Sequence, residues 1–217
     1  LAGFERIEVA AMAENVERVR SALASDLDAL SRTVTDWAAW DATYRFAADF
    51  DPAYAEENLT GDVLDYLNLD AMVFAAPSGS VFRLLGTGIS SAAAEAVLAG
   101  YPALLLRSSE PEPVAGIVVV AGVPWLAASH AILRSDGSGP PRGALVIGRR
   151  LDDETVRALS KRVRVELRIA DAASLAPDDP LRRAAARLGP ASPVLVEHPS
   201  LDRLVATAAL EDLAGSG

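Results

Sequence analysis

The chain has 217 residues but no cysteine, only two histidines and a single lysine, Lys161. Without cysteine it can form neither a disulfide nor a thiolate zinc site, and it has no cysteine nucleophile. The histidines, His130 and His198, lie far apart and form no His-x-x-x-His or His-Glu-x-x-His spacing. A Gly-x-Ser-x-Gly elbow is also missing. We therefore expect no metal site and no hydrolytic centre.

Basic residues are scarce as a class, with 20 Lys and Arg against 30 Asp and Glu and a net charge of −10. DNA, RNA and anionic lipid surfaces attract proteins that present a basic face. The charge balance therefore predicts no nucleic-acid partner. With 51% hydrophobic and 23% charged residues, the composition is typical of a folded globular protein and not of a disordered chain.

One stretch lacks formal charge altogether, from Pro113 to Leu133, and it is long enough to cross a bilayer. The segment Gly122-Val123-Pro124 interrupts it, and the four residues from Ile117 to Val120 are all β-branched. This pattern predicts two buried strands joined by a turn and not a membrane helix.

Near the N-terminus apolar residues recur every seven positions, at Val9, Val16, Leu23, Leu30 and Trp37. This spacing predicts one amphipathic helix of roughly 35 residues, about 50 Å long. Two interpretations of the stripe stay open. The helix either packs on its own domain or also pairs with its copy in a homodimer.

The remaining pattern predicts an α+β domain built on an antiparallel sheet, because the expected strands are joined mainly as hairpins. A smaller α/β part follows at the C-terminal end. The expected strands are Leu69–Ala76, Val81–Leu85, Ala103–Arg107, Val114–Ala121, Trp125–Arg134, Gly143–Leu151 and two near 194–196 and 204–210, with helices at Ser90–Ala99, 152–162 and 181–188.

Aromatic residues are concentrated in one segment, Asp36 to Phe46, which closes the long helix. On a continuous helix, Trp37, Trp40, Asp41 and Tyr44 share one face, because their separations are three, four and seven residues. The rings either pack on the sheet or form one wall of a pocket for a cationic or polyol ligand. We expect Trp125 and the Arg149-Arg150 pair to supply opposing contacts in such a pocket, with Arg149 as the candidate ligand-binding residue.

A second candidate site is the segment Gly86-Thr87-Gly88-Ile89-Ser90-Ser91, which lies between a predicted strand and an alanine-rich helix. It approaches the Gly-x-Gly-x-x-Gly fingerprint of dinucleotide-binding folds, although serine replaces the third glycine. The alternative function that this motif predicts is an NADP-binding, Rossmann-like oxidoreductase using Gly86 and Gly88.

Several segments, taken in order, resemble one known family. The resemblance covers about Glu5 to Leu167 and is most specific around the paired Asp-Trp and Trp-Asp dipeptides. The family is the fourth type of the cyclases/histidine-kinases-associated sensory extracellular domains. The segments that carry it are the heptad helix, Asp36-Trp37-Ala38-x-Trp40-Asp41-x-Thr43-Tyr44-x-Phe46, Tyr54 with Asn58-Leu59, Leu69-Asp70-Ala71-Met72-Val73-Phe74 with Gly79, and Gly143-Ala144-Leu145-Val146-Ile147-Gly148-Arg149-x-Leu151.

The resemblance implies one extracytoplasmic sensor domain with a PAS-like, Cache-related fold, anchored by flanking membrane spans outside residues 1–217. Residues 1–50 would form the long helix and aromatic cluster, 51–162 the PAS-like core, and 163–217 a truncated membrane-proximal α/β part. Such domains precede histidine kinase, diguanylate cyclase or phosphodiesterase modules, so we expect no catalysis and no cofactor here. The expected partners are an unknown small-molecule ligand and a second copy; a dimerisation module without ligand is a further alternative.

Overall fold

The computed structural model describes residues 2–86, 88–105, 112–189, 192–200 and 203–215, with side chains from residue 7 onward. Within these ranges the chain forms a long N-terminal helix, a five-stranded antiparallel sheet and a smaller α/β part after residue 163. The predicted α+β class is therefore confirmed. None of the described helices combines the length and apolar character that crossing a membrane requires.

Helix α1 runs from Ala2 to Ala38, as the heptad spacing predicts. Its second half lies across the sheet, where Leu30, Val34 and Ala38 are at most 2% exposed. The first half extends beyond the sheet, and there Ile7 is 69% and Val9 48% exposed. The apolar stripe of α1 is therefore buried against the domain at its C-terminal end and exposed to solvent at its N-terminal end.

Three short helices reverse the chain after α1: α2 (Asp41–Asp49), α3 (Pro52–Asn58) and α4 (Gly61–Leu67). Proline at the first position of α3 suits a helix start, where its missing N–H costs nothing. Asp51 caps the same helix by accepting a hydrogen bond from the Ala53 backbone N–H at 3.0 Å. These turns bring aromatic residues from α2 and α3 onto the edge of the sheet.

The sheet has the strand order β2-β1-β5-β4-β3, and every neighbouring pair is antiparallel. The uncharged run forms the β3–β4 hairpin, whose two turn residues, Ala121 and Gly122, have positive φ angles of 49° and 79°. Positive φ at both positions is what a type I′ hairpin turn requires. The strands are β1 (Ala71–Ala75), β2 (Val81–Gly86), β3 (Val114–Val120), β4 (Val123–Ala131) and β5 (Ala144–Arg150).

Side chains alternate between the two faces of the sheet, because successive Cβ atoms in a strand point to opposite sides. One set, which includes Phe74 and Leu126, packs with α1 in one hydrophobic core. The other set, which includes Val73 and Trp125, packs beneath helix α5 (Ser91–Gly100) in a second core. The sheet thus separates the long helix from α5.

After α5 the chain makes a 3-10 turn over Pro102–Leu104, where the sequence predicted the strand Ala103–Arg107. That prediction is wrong over the described residues; Arg107 lies outside them. Proline at the first position of the turn fixes φ and favours the tight bend. Helix α5 extends one residue beyond the predicted Ala99 and includes Gly100, with Tyr101 as its C-cap.

Helix α6 (Asp153–Val163) leads into the C-terminal part, which comprises a 3-10 turn (Ala172–Ser174), α7 (Pro180–Ala185) and the strands β6 (Val194–Ser200) and β7 (Arg203–Ala208). Strands β6 and β7 form a two-stranded antiparallel ribbon that lies against α1. The assignment of 51–162 and 163–217 to a core and a membrane-proximal part stays a prediction.

The Rossmann-like alternative is wrong. A dinucleotide fold needs parallel strands joined by crossover helices, whereas β2, which ends at Gly86, is an edge strand paired antiparallel with β1. Among the described residues all pairs of named strands are antiparallel. The two glycines of the motif serve a turn and not a phosphate-binding crossover.

Candidate functional site

The aromatic segment does not form a continuous helix. Helix α1 ends at Ala38, Trp40 is extended with φ −115° and ψ 130°, and α2 begins at Asp41. The Leu133 backbone N–H donates a hydrogen bond to the Ala38 carbonyl at 3.2 Å, taking the acceptor that a continuing helix would use. The prediction that Trp37, Trp40, Asp41 and Tyr44 share one helix face is therefore wrong.

The two tryptophans belong to an aromatic cluster at the sheet edge. Their rings meet edge to face with centroids 6.3 Å apart, and the Trp40 ring lies 5.9 Å from that of Tyr54. Tyr54 stacks on Phe46 at 4.7 Å and shares a 2.7 Å hydrogen bond with the buried Thr43 hydroxyl. Burial raises the pKa of the Tyr54 hydroxyl. Most of this cluster is hydrophobic core, but Trp40 keeps 40% of its surface exposed.

Asp41 and Tyr44 hold the loop that connects β4 to β5. The Asp41 carboxylate accepts a 3.0 Å hydrogen bond from the Ser135 N–H, and the Tyr44 hydroxyl donates to the Pro140 carbonyl at 3.1 Å. The Arg142 guanidinium lies 4.1 Å from the centre of the Tyr44 ring and donates to the Tyr44 carbonyl. Tyr44 is only 4% exposed. Together these contacts hold α2 against residues 134–142, and we refer to them as the polar lock.

Trp125, also predicted as a site residue, lies on the opposite face of the sheet. It is 3% exposed and forms part of a cavity of about 40 Å³ beneath α5. Small or branched aliphatic side chains form the rest of the lining, which includes Ala71, Val73, Ala127, Val146, Ala94 and Leu98. We refer to this cavity as the sheet pocket. The structure thus separates Trp125 from the other predicted residues by the thickness of the sheet.

Arg149 and Arg150 point to different faces of the sheet. The Arg149 side chain donates to the Asn68 carbonyl at 2.7 Å and does not line the sheet pocket. Arg150 pairs with Asp70 through hydrogen bonds of 3.2 and 3.3 Å, and its guanidinium lies 5.9 Å from the Trp125 ring centre. One Arg150 nitrogen is 3.0 Å from where a Cβ on Gly88 would lie, so glycine there leaves room for the guanidinium.

The sequence analysis named Arg149 and Arg150 together, chose Arg149 as the site residue and did not name Asp70. Strand alternation was the signal that favours Arg150, since Arg150 stands directly opposite Trp125 in the β4–β5 register. Trp125 lines the sheet pocket, and the Asp70–Arg150 pair lies beside its ring, outside the residues that line the cavity.

Tyr101, at the end of α5, connects the cover of the sheet pocket to the C-terminal segment. Its hydroxyl donates to the Asp212 carboxylate at 2.8 Å and accepts from the Val119 N–H at 3.0 Å. Burial raises the pKa of this hydroxyl. The Leu213 N–H also donates to the Ile117 carbonyl at 2.9 Å, so the segment is held along β3.

A long helix packed on one face of an antiparallel sheet, with a pocket on the other face, defines the class of PAS-like sensor domains. Residues 22–170 match the CHASE4 domain model, and the chain belongs to the CHASE4 family. It is an extracytoplasmic domain of a membrane receptor, as the sequence resemblance implied.

One similar protein is the methanogenesis regulatory histidine kinase FilI of Methanothrix harundinacea (strain 6Ac), 28% identical over 216 residues. The match covers 97% of this chain and 24% of FilI, so the chain spans about a quarter of the relative's length. Among solved structures, the periplasmic domain of Vibrio cholerae LuxQ is similar in fold, with a TM-score of 0.50, 15% identity and 93% of each chain covered.

The Asp41–Ser135 contact gives a pH-dependent prediction. The hydrogen bond from Ser135 lowers the pKa of Asp41 below the ordinary 3.8, so the folded state holds this carboxylate ionised more firmly than the unfolded chain. Its stabilisation is complete above pH 3.8 and is lost as the pH falls through the lowered value. We expect Asp41→Ala to lower the melting temperature at neutral pH and to lower it less at about pH 3.

The matched control for that measurement is Asp28→Ala, because Asp28 is an exposed acid on α1 with no hydrogen bond or ion pair among the described side chains. Melting curves of both variants and the parent are compared at the two pH values. A melting-temperature loss for Asp41→Ala that is equal at both pH values contradicts the assignment.

Proposed function

We propose that this domain is the ligand-binding input of a membrane-bound signal-transduction protein and that a small molecule binds in the sheet pocket. The observation that supports this most is the aliphatic cavity beneath α5, whose wall includes Trp125, with the Asp70–Arg150 pair beside the Trp125 ring. The combination offers an apolar body for a ligand and charged groups that fix its orientation.

The chemistry of the pocket limits the ligand class. The Asp70 and Arg150 side chains are 26% and 34% exposed, so both charges are reachable from solvent while they hold each other. A ligand with an acidic group can share Arg150, and the aromatic face of Trp125 can cover an apolar part. We therefore propose a small amphipathic molecule with an anionic group.

Ligand entry requires a conformational change, since the cavity of about 40 Å³ is far below the volume of a metabolite site. Helix α5 is the element that would move, because it covers the pocket through Ala94 and Leu98. A ligand that binds the open form better shifts the population towards it. The sheet beneath stays fixed by its antiparallel ladder.

Two connections could carry this change out of the domain. Tyr101 links the end of α5 to Asp212 in the C-terminal segment, and α1 lies on the other face of the same sheet. A displacement of α5 would therefore strain the Tyr101–Asp212 bond, and a shift of the helix–sheet unit as one body would tilt or rotate α1. Both elements are continuous with parts of the chain that we expect to lead towards the membrane.

The predicted ligand contacts of Trp37, Trp40, Asp41 and Tyr44 stay a prediction. The geometry favours a structural role for Asp41 and Tyr44, which are engaged with the β4–β5 loop. Trp40 is the most exposed of the three aromatic residues in this group. Trp125 keeps a proposed ligand role, and we transfer the role of Arg149 to Arg150.

We further propose a histidine kinase output and a homodimer, by analogy with the relative's name and from the open end of α1. A diguanylate cyclase or phosphodiesterase output is the alternative that the family allows. Val9 is an exposed hydrophobic residue in the heptad stripe of α1 and is suited to pairing with a second copy. A dimerisation module without ligand would share this surface but would leave the sheet pocket without a role.

The ligand proposal is tested by a thermal-shift screen of small anionic metabolites, followed by calorimetry on the hits. Arg150→Gln should weaken binding roughly 10- to 150-fold, the equivalent of losing one hydrogen bond to a charged group. Arg149→Gln is the matched control, because the neighbouring arginine points away from the pocket, and it should leave the affinity unchanged. Equal effects of the two substitutions, or no stabilising metabolite, would overturn the proposal.

The dimer is tested by sedimentation velocity over a range of concentrations. Val9→Asp should shift the distribution to monomer without changing the melting temperature of the monomer, since the side chain is exposed. Ile7→Asp is the control, because Ile7 lies two residues away on another face of the helix. If the parent chain is monomeric at every concentration, or if Val9→Asp remains a dimer, α1 pairing through this end is wrong.

A further inference from the structure

A second cavity lies between the first half of α1 and the β6–β7 ribbon. We propose that this α1–ribbon groove is a binding site for a free aliphatic carboxylate, independent of the sheet pocket. Its volume is about 730 Å³, which is within the range of small-molecule sites. The lining includes Met12, Val16, Val19, Arg164, Leu167, Ile169, Leu181, Leu204, Thr207 and Leu210.

The walls of the groove suit a flexible hydrocarbon chain. Met12, Val16 and Val19 follow one another at spacings of four and three on α1, so they form a continuous apolar strip. Facing them are aliphatic residues of β7 and of the segment after α6, such as Leu204 and Leu167. No aromatic residue is among the described lining residues, so the groove offers no platform for a planar ring.

The charge of the groove is opposite to that of the whole chain. Four arginines and two glutamates line it, in a protein whose net charge is −10. Arg168 is held by both oxygens of Asp179, Arg20 pairs with Glu17, and Arg203 lies 3.9 Å from Glu166. Arg164, by contrast, has no hydrogen bond or ion pair from its side chain to any described residue. Its guanidinium is therefore available to an anion.

A buried hydroxyl is the second, independent observation. The described buried polar residues are Thr43, Ser129, His130 and Thr207, and all but Thr207 have a hydrogen-bond partner within the protein. Thr207 is 6% exposed, and its residue lines the groove. Among the described residues, every side-chain nitrogen or oxygen that is shielded from solvent has a hydrogen-bond partner. The Thr207 oxygen has no such partner, so it is accessible to solvent.

These features together select the ligand class. The Thr207 hydroxyl has no hydrogen-bond partner among the described residues, and a carboxylate oxygen would accept its hydrogen bond. Arg164 would neutralise the charge, and the aliphatic walls would cover the chain. An acyl chain with one carboxylate meets all three requirements, whereas a neutral alcohol of the same length leaves Arg164 without a partner.

The test is isothermal titration calorimetry of the 217-residue chain with octanoate and decanoate below their micelle concentrations. We expect saturable binding at one site, tighter for decanoate. Octan-1-ol and octyltrimethylammonium, of the same chain length as octanoate, should bind at least roughly tenfold more weakly than octanoate. Vesicles containing phosphatidylglycerol separate a free acid from a lipid surface, and we expect no binding to them.

Two substitutions examine the polar end. Arg164→Gln should weaken decanoate binding roughly tenfold or more, and Thr207→Val roughly three- to tenfold. Arg157→Gln is the matched control, since Arg157 is an exposed arginine on α6 outside the groove. Methyl chemical shifts of Val16 and Val19 in the unsubstituted chain locate the ligand without relying on any variant.

The proposal is overturned if decanoate does not saturate, if octan-1-ol binds as well as octanoate, or if the Val16 and Val19 methyls do not shift. It is also overturned if only the vesicles bind, or if Arg164→Gln behaves like Arg157→Gln. Arg150→Gln should leave decanoate binding unchanged, because the groove and the sheet pocket share no described lining residue. The two sites can therefore fail or succeed separately.

Discussion

The packing of α1 across one face of the sheet is the interaction on which the rest of the structure depends. Leu30, Val34 and Ala38 on the helix, and Phe74 and Leu145 on the strands, are at most 2% exposed and belong to one core. Full burial of a single large aliphatic or aromatic side chain contributes about 1.5–3 kcal/mol. The helix and sheet therefore form one rigid unit, and the other elements are positioned relative to it.

This unit places three features in a fixed order along α1. At its C-terminal end the Leu133–Ala38 hydrogen bond stops the helix, and Asp41 and Tyr44 lock the β4–β5 loop. Behind the middle of the helix, on the far side of the sheet, lies the pocket beneath α5. Along the N-terminal half the helix forms a wall of the α1–ribbon groove. One element thus touches the lock and the groove and supports the pocket through the sheet.

Sequence patterns predicted those features whose cause is local. The heptad spacing gave α1, and the uncharged run with its glycine and proline gave the β3–β4 hairpin. The motif around Trp37 and Trp40 led to the family, because a short motif can be recognised from the order of its residues without knowing which residues are in contact. The helix break at Trp40 could not be predicted from spacing, since the contact made there, from the Leu133 N–H to the Ala38 carbonyl, joins residues that are distant in the chain.

The site was only partly predictable for the same reason. The position of Arg150 could be predicted, because strand alternation places it on the same face of the sheet as Trp125. Its pairing with Asp70 could not, because the two residues come together only in the folded sheet. Thr207 gives no signal in the sequence at all. Its burial and its hydroxyl without a protein partner arise from the approach of the β6–β7 ribbon to α1.

Hydrogen–deuterium exchange along α1 tests the central packing most directly. Amides of residues 23–38 should exchange far more slowly than those of residues 7–12, at rates approaching that of global unfolding, because only the second half is buried on the sheet. Exchange in residues 23–38 that is as fast as in residues 7–12 would contradict this account of the fold.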